Sequence, residues 1–454
     1  MENQESSSAP INIPFGIENR VLMSEPNEPV LIHKGNFILQ NNGDKVDVLG
    51  EIYFNWIPSM SIKFKGTCSI SFFDNISIVK QNYSPSIFIG DRLIGEVIIT
   101  NEEKSSNKTE TEITGVFKDA VTIGEINPEI DEIGFAIPNL KPFWGNAFQL
   151  NTEKGITRIS GRISFSCKEF NIIIDQRKDY KTLRKKLFSS GGYILLYNGK
   201  IEFKKPVSYE RTEEICLALN TFLSFINGRR VGSLFLEGKL NNEIVFNKYT
   251  RHVNESYQSS HSWALDDLKS EQIEKIWWKF WYLWTQKKAK EFLIFSIKWY
   301  CEGNSPELSS DTRLIMAQST LELIFNWWLV ELNGLIKGSD SRNLSASNKI
   351  RLILSSCMVT KDIPSELKEL TDIMKGQAIN DGPESIVYVR NALVHAHEKN
   401  RDKIRKIGPY ARFQALRLAI MYIDLALLKI LDYDGRYKNK CLGVQWVPWY
   451  SRNS

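Results

Sequence analysis

Reactive side chains are scarce in this 454-residue chain. It has five histidines and six cysteines. The cysteines (Cys68, Cys167, Cys216, Cys301, Cys357 and Cys441) are scattered, with no Cys-x-x-Cys pair. A disulfide scaffold and a zinc ribbon are therefore excluded, and a reducing, cytoplasmic setting is expected. In that setting sequons such as Asn75-Ile76-Ser77 carry no meaning. No uninterrupted apolar run approaches the roughly 18 residues of a membrane helix. The nearest, Leu418 to Leu431, is broken by Asp424 and Lys429, so no membrane partner is expected. The opening residues Met1 to Ser8 are acidic and polar, unlike a secretory signal. A G-x-S-x-G nucleophile elbow is also missing. Gly232 to Gly238-Lys239 imitates a phosphate loop, but five residues, not four, separate its glycines and Leu240 stands where Ser or Thr is needed.

What is present is an ordinary globular balance: 42% hydrophobic, 24% charged and 11% aromatic. That supports a packed core and two or three domains. The charge is uneven. From Asp340 to Ser454 there are 19 basic against 12 acidic residues, while the first 339 residues carry a net −2. Eight basic residues and two acids fall between Arg390 and Arg417. Concentrated positive charge favours a polyanionic partner through attraction and counterion release.

Residues 1–28 are polar and are expected to be poorly ordered. From Val30 to about Phe203 short Ile/Val/Phe/Thr runs alternate with turn residues. Examples are Asp47 to Phe54, Ser61 to Phe64, and a hairpin of Ile94 to Thr100 with Ile113 to Phe117. Ile159 to Phe165 and Gly192 to Tyr197 add strands. The pattern predicts an antiparallel sandwich or barrel uninterrupted by helical crossovers. Glu213 to Ile226 reads as a helix stopped by Asn227-Gly228. A hairpin follows, turning at Asn241-Asn242. After an irregular stretch with His252 and His261 the chain turns helical. Leu268 to Trp284 places Trp277, Trp278, Trp281 and Trp284 on a buried face. Thr312 to Leu332 begins at an Asp311 N-cap, stops at Gly334, and aligns Gln318, Glu322 and Asn326 in one polar stripe. Further helices are expected over 348–356, 365–376, 383–400 and 410–431. The aromatic tail with Trp446, Pro448 and Trp449 is expected to pack back on them. The fold class is α+β and multidomain, with a β-rich unit over 1–250, a helical connector over 251–305 and a helical bundle over 306–454.

Two of the five histidines lie in Arg390-Asn391-Ala392-Leu393-Val394-His395-Ala396-His397. On one helix His395 and His397 point about 200° apart and cannot chelate a metal together. No metal and no cofactor are expected. An arginine with a histidine suits RNA, which carries its own nucleophile in the 2′-hydroxyl. The imidazole can move the proton and the guanidinium can hold the phosphate as charge develops. Asn391 can orient the phosphate or the imidazole by hydrogen bonding. Continued as one helix, the spacing sets Arg390 about 20° from His397 and about 140° from His395.

Arg390, Asn391 and His395 resemble the Arg-x4–6-His motif of HEPN domains, where a polar residue follows the arginine. Arg-x6-His through His397 also fits. The motif stands late in a helical region before a long helix. Together with the upstream β region and the segment Leu219 to Arg230, it makes the chain resemble the ApeA type of bacterial anti-phage HEPN protein. The resemblance implies an all-α HEPN bundle, a homodimer or higher oligomer, and a metal-independent endoribonuclease. Its setting would be abortive infection, with the β-rich region sensing a phage-derived protein. It implies catalytic roles for Arg390, Asn391 and His395, with His397, Glu398 and Glu322 as further candidates. Lys399, Arg401, Lys403, Arg405 and Lys406 would contact the RNA, with tRNA one candidate. The alternative is a non-catalytic HEPN protein that binds RNA or nucleotide.

Overall fold

A computed structural model describes residues 13–41, 44–69, 85–104, 110–153, 155–250, 254–257, 262–395 and 397–450, with the side chain of Lys399 outside that description. The Asn75 sequon, His252 and His261 also lie outside the described residues.

The β-rich region forms two antiparallel sheets. Strands β1 (Val30–Asn41), β2 (Asp44–Asn55), β3 (Ser61–Ser69), β4 (Ser86–Ile89), β5 (Arg92–Lys104) and β6 (Glu110–Phe117) close into a barrel in the order β1-β2-β3-β6-β5-β4. Period-2 alternation drives it. Val48, Ile52 and Phe54 of β2 point inward, while Leu49 stays exposed. Gly35, Gly50 and Gly66 pair in register across three adjacent strands. A Cβ on Gly50 would meet the Lys65 carbonyl oxygen at 2.1 Å, so the bare backbone lets neighbouring strands approach there.

The second sheet has eight strands in the order β7-β14-β13-β8-β12-β11-β10-β9. They are β7 (Val121–Gly124), β8 (Ile130–Pro138), β9 (Asn146–Thr152), β10 (Gly155–Ser166), β11 (Phe170–Gln176), β12 (Leu195–Val207), β13 (Leu234–Leu240) and β14 (Glu243–Tyr249). The β13–β14 hairpin turns at Asn241 and Asn242, both at positive φ, as the sequence predicts. One helix interrupts the β-rich stretch against expectation: α1 (Tyr180–Ser190), between β11 and β12. Helix α2 (Tyr209–Asn227), between β12 and β13, is the one expected over 213–226. Only Tyr180, Leu183 and Leu187 of α1 are buried, an apolar stripe too thin to stand out beside the strand pattern. Ser208 caps α2 and Gly228 ends it in the left-handed conformation.

One face of this sheet carries the helices. Helix α3 (Ser270–Trp284) lays Trp277 against Phe165 of β10, ring centroids 5.1 Å apart, and against Phe222 of α2. Trp281 and Trp284 are buried too, but Trp278 is 46% exposed, because the position after Trp277 lies about 100° around the helix. The other face is polar. Residues 13–20, within the stretch expected to be poorly ordered, run across it as an arm instead.

The helical region continues with α4 (Lys287–Asn304) and α5 (Ser310–Ile324). Ser309, not Asp311, caps α5, accepting from the Thr312 N–H at 3.2 Å. Asp311 sits in the first turn and pairs with Arg412. Helix α5 widens into a π-helical stretch over Phe325–Leu332. Then come α6 (Gly338–Ser341), α7 (Ala346–Ser356), α8 (Lys368–Lys375), α9 (Gly382–Val394) and α10 (Glu398–Ile430). The region is not wholly helical. A hairpin of β15 (Arg436–Asn439) and β16 (Gly443–Trp446) ends it. The tail packs back as predicted, with the Trp449 indole donating to the Tyr433 carbonyl at 2.7 Å. All six cysteines are buried and unpaired. Among the described residues no helix is long and apolar enough to cross a membrane.

Candidate functional site

Helix α9 is anchored at its start. The Asp381 side chain accepts from the Glu384 N–H at 2.9 Å, Pro383 occupies the first turn, and Arg351 holds Asp381 at 2.7 Å. Ile386, Val389 and Ala392 bury its inner face. The helix was expected to run to residue 400 but stops at Val394. His395 leaves helical geometry at φ −95, ψ 74, and His397 becomes the N-cap residue of α10 at φ −69, ψ 166. The turn is tied from below: Asn400, on the first turn of α10, donates its amide to the His395 carbonyl at 2.6 Å. Helix α10 itself bends at Gly408, φ 71, followed by Pro409, which cannot donate to the helix ladder.

This elbow changes the geometry of the motif. Arg390 and Asn391 occupy the last turn of α9, whereas both histidines lie in the connection after it. Angles on one continuous helix therefore do not separate His395 from His397, nor do they argue against chelation by the pair. Among the described residues no cluster of His, Cys, Asp and Glu suited to a metal ion occurs. Both imidazoles are exposed. Arg390 is half-buried, donates through Nη1 to Asn391 Oδ1 at 3.2 Å, and keeps a buried Nε without a hydrogen-bond partner. No carboxylate pairs with it among the described residues.

The other candidates divide. Glu398 is exposed on the first turn of α10. Glu322 is held by Lys349 of α7 at 2.7 Å, so its carboxylate serves an interhelix ion pair. Gln318, one turn earlier on the same stripe, is buried with an unfilled side-chain carbonyl. Of the basic residues, Lys399 lies outside the described side chains and Arg401 is exposed. Arg405 is paired with Asp402 at 3.0 Å. Two residues that swelled the basic count are structural. Arg412 binds Asp311, and Arg417 donates to the Lys440 carbonyl.

Lys403 and Lys406 face a groove that sequence reasoning missed. It has a volume of about 260 Å³ and is lined also by Gln377, Tyr388 and Asp402. Lys403 Nζ lies 5.1 Å from the centre of the Tyr388 ring, whose hydroxyl donates to Gln377 Oε1 at 2.9 Å. Tyr388 precedes Arg390 by two residues, but its partners come from the turn after α8 and from α10, and no local pattern announces them.

Two family models match the chain: the YopA central domain over residues 125–260 and the YopA C-terminal domain over residues 286–450. The first covers strands β8 to β14 of the eight-stranded sheet with α1 and α2, and the second covers the helices from α4 together with the terminal hairpin. The chain is also similar to the SPbeta prophage-derived uncharacterized protein YopA of Bacillus subtilis (strain 168), with 26% identity over 97% of this chain and 99% of that relative. The likeness therefore extends beyond both matched regions to the barrel. No solved structure matches the chain.

Proposed function

We propose that this protein is a metal-independent endoribonuclease of the HEPN type, working as a homodimer in anti-phage defence. The observation that carries the reading is Arg390. A half-buried guanidinium beside Asn391, with a buried N–H unfilled and no carboxylate partner among the described residues, is costly unless an anion completes it. A phosphodiester is such an anion, and two exposed imidazoles follow within seven residues.

In this mechanism an imidazole takes the 2′-hydroxyl proton as O2′ attacks phosphorus. The P–O5′ bond breaks, and a protonated imidazole supplies the proton to the leaving oxygen. The products are a 2′,3′-cyclic phosphate and a 5′-hydroxyl. Arg390 holds the nonbridging oxygens as their charge grows, and Asn391 fixes the guanidinium. His395, which the Arg-x4-His spacing favours, is assigned the main proton transfer. Neither imidazole has a hydrogen-bond partner among the described residues of one chain, so a second copy opposite the first supplies the missing half of the cleft. Lys403, Lys406 and Arg401 extend the positive surface along the RNA, tRNA being one candidate.

The β-rich region is the sensor of a phage-derived protein. A prophage relative suits this reading, since a resident phage gains when infection by a competitor is halted. The work is done in the cytoplasm, where RNA is the substrate. The test is purified protein with end-labelled RNA in EDTA. Cleavage leaving cyclic phosphate ends, lost in Arg390→Ala, is expected. RNA bound but uncut, with the protein dimeric and an activating phage lysate present, would leave the non-catalytic alternative. Activity abolished by EDTA and restored by Mg²⁺ would overturn the mechanism.

A further inference from the structure

The arm of residues 13–20 lies on the polar face of the eight-stranded sheet much as a bound peptide would. At the edge strand β9 it pairs in parallel. The Gly16 N–H donates to the Gln149 carbonyl at 2.7 Å, and the Gln149 N–H donates to the Pro14 carbonyl at 2.9 Å. It then crosses the strands. On β10 and β11 a buried bidentate pair, Arg162 with Asp175 (2.7 Å for each bond), grips its backbone. Arg162 donates to the Phe15 carbonyl at 2.7 Å, and Asp175 accepts from the Ile17 N–H at 2.8 Å. Asn19 accepts from Asn198 on β12. The Arg20 guanidinium settles over Gly134 of β8, 2.6 Å from Glu237 of β13 and 3.3 Å from Glu132. A Cβ on Gly134 would stand 1.9 Å from the Arg20 guanidinium carbon, so the glycine keeps that slot open.

The arm is a poor fit to this site. None of residues 13–20 is fully buried, and Phe15 is 55% exposed. Cavities of about 420 and 430 Å³ lie along its two sides. Its attachment is almost wholly polar, which marks a segment that opens locally at low cost. The floor beneath it offers the buried Arg162–Asp175 pair to extended backbone, and the half-buried Glu132 and Glu237, which Lys239 also bridges, to one guanidinium.

We propose that this face is a peptide-docking groove, filled in the resting chain by its own residues 13–20. The partner it fits is a protein that presents an extended segment with an arginine three to five residues after an apolar position. Such a segment pairs with β9, places its backbone on Arg162 and Asp175, and sets its arginine between Glu132 and Glu237, displacing the arm. The proposal does not depend on the ribonuclease reading, because binding is measured directly.

The probe is a fluorescent synthetic peptide of residues 13–24. Arg20→Glu in the full chain sets a third carboxylate against Glu132 and Glu237 and should release the arm. That variant is expected to bind the peptide at least about tenfold more tightly than the unaltered chain, whose tethered arm competes at a high effective concentration. A peptide carrying the same Arg→Glu change should not bind. In the unaltered chain, excess peptide should speed hydrogen exchange at the Gly16 and Ile17 amides, while β10 and β11 stay protected. This second measurement stands even where Arg20→Glu fails to fold. A folded Arg20→Glu chain that ignores millimolar peptide, or arm amides unchanged by it, would overturn the proposal.

Discussion

The Asn400 side chain reaches back across the elbow and donates to the His395 carbonyl at 2.6 Å. Asn400 is buried and His395 exposed, so the buried amide fixes where the solvent-facing histidine begins. In the ribonuclease reading Asn400 is a positioning residue. Asn400→Asp keeps the shape but replaces the donor by an acceptor facing a carbonyl oxygen. The expected result is a loss of about 1 kcal/mol of stability and on the order of 10²-fold in cleavage rate from a misplaced imidazole. Denaturant unfolding beside single-turnover cleavage checks this. Lost stability with an unchanged rate would remove Asn400 from the site.

His395→Ala should lower cleavage by roughly 10²–10⁴-fold, the usual value of a general acid or base. Arg390→Ala should cost about 2.7–4 kcal/mol of transition-state stabilisation, as when one donor to a developing oxyanion is removed. Because the His395 imidazole is exposed, its loss should leave thermal unfolding unchanged within about 0.5 kcal/mol. Inactivation by His397→Ala but not by His395→Ala would reassign the essential histidine.

The sequence was readable where structure is set locally. The Val48, Ile52 and Phe54 alternation marks a half-buried strand, and Asn227-Gly228 marks a helix stop because only local backbone chemistry is involved. The arm was not readable, since its order comes from Arg162, Asp175, Glu132 and Glu237, each more than 100 positions away. The elbow at His395 has no glycine or proline of its own. Gly408-Pro409, by contrast, is a plain breaker, and it bends α10 where the sequence reading placed only a helix start. Within the site, Arg390 and Asn391 stood out by type and spacing. Tyr388 and Gln377 did not, since only tertiary packing brings them to Lys403.

The boundaries drawn at 250 and 305 cut through shared packing. Trp263, between the two β and helical stretches, touches Phe225 of α2 on one side and Tyr433 on the other, while its indole donates to the Phe225 carbonyl at 3.1 Å. Lys275 and Lys279 of α3 pair with Asp434 and Asp432 at 2.6 and 2.8 Å. A fragment of residues 306–454 lacks α3 and α4 and should expose the α4-facing side of α5, giving an aggregated or molten product by near-UV circular dichroism. Toxicity of that fragment would then say nothing about inhibition by the β-rich region. A soluble fragment with sharp cooperative melting would show that the helical region is an independent unit.

The helical core carries a charge that should make its stability depend on pH. Asp424 of α10 is fully buried, and among the described residues neither carboxylate oxygen has a hydrogen-bond partner of good geometry. Burial pushes its carboxyl up to about 6, although the Lys440 ammonium and the Tyr300 hydroxyl pull the other way. The same burial lowers Lys440 to about 8. Because the folded protein holds the Asp424 proton more tightly than the unfolded chain does, this residue's contribution is fully present below the ordinary carboxylate value of 3.8 and is lost as the pH rises to about 6. The loss approaches about 3 kcal/mol above that window. Asp424→Asn removes the titration. Measured between pH 4 and pH 7, the Tm of the unaltered protein should fall relative to that of Asp424→Asn. Lys440→Met, which removes the opposing cation, should move the window to higher pH. Parallel Tm profiles for the unaltered and Asp424→Asn proteins would mean that water or a neighbouring donor already satisfies this carboxylate.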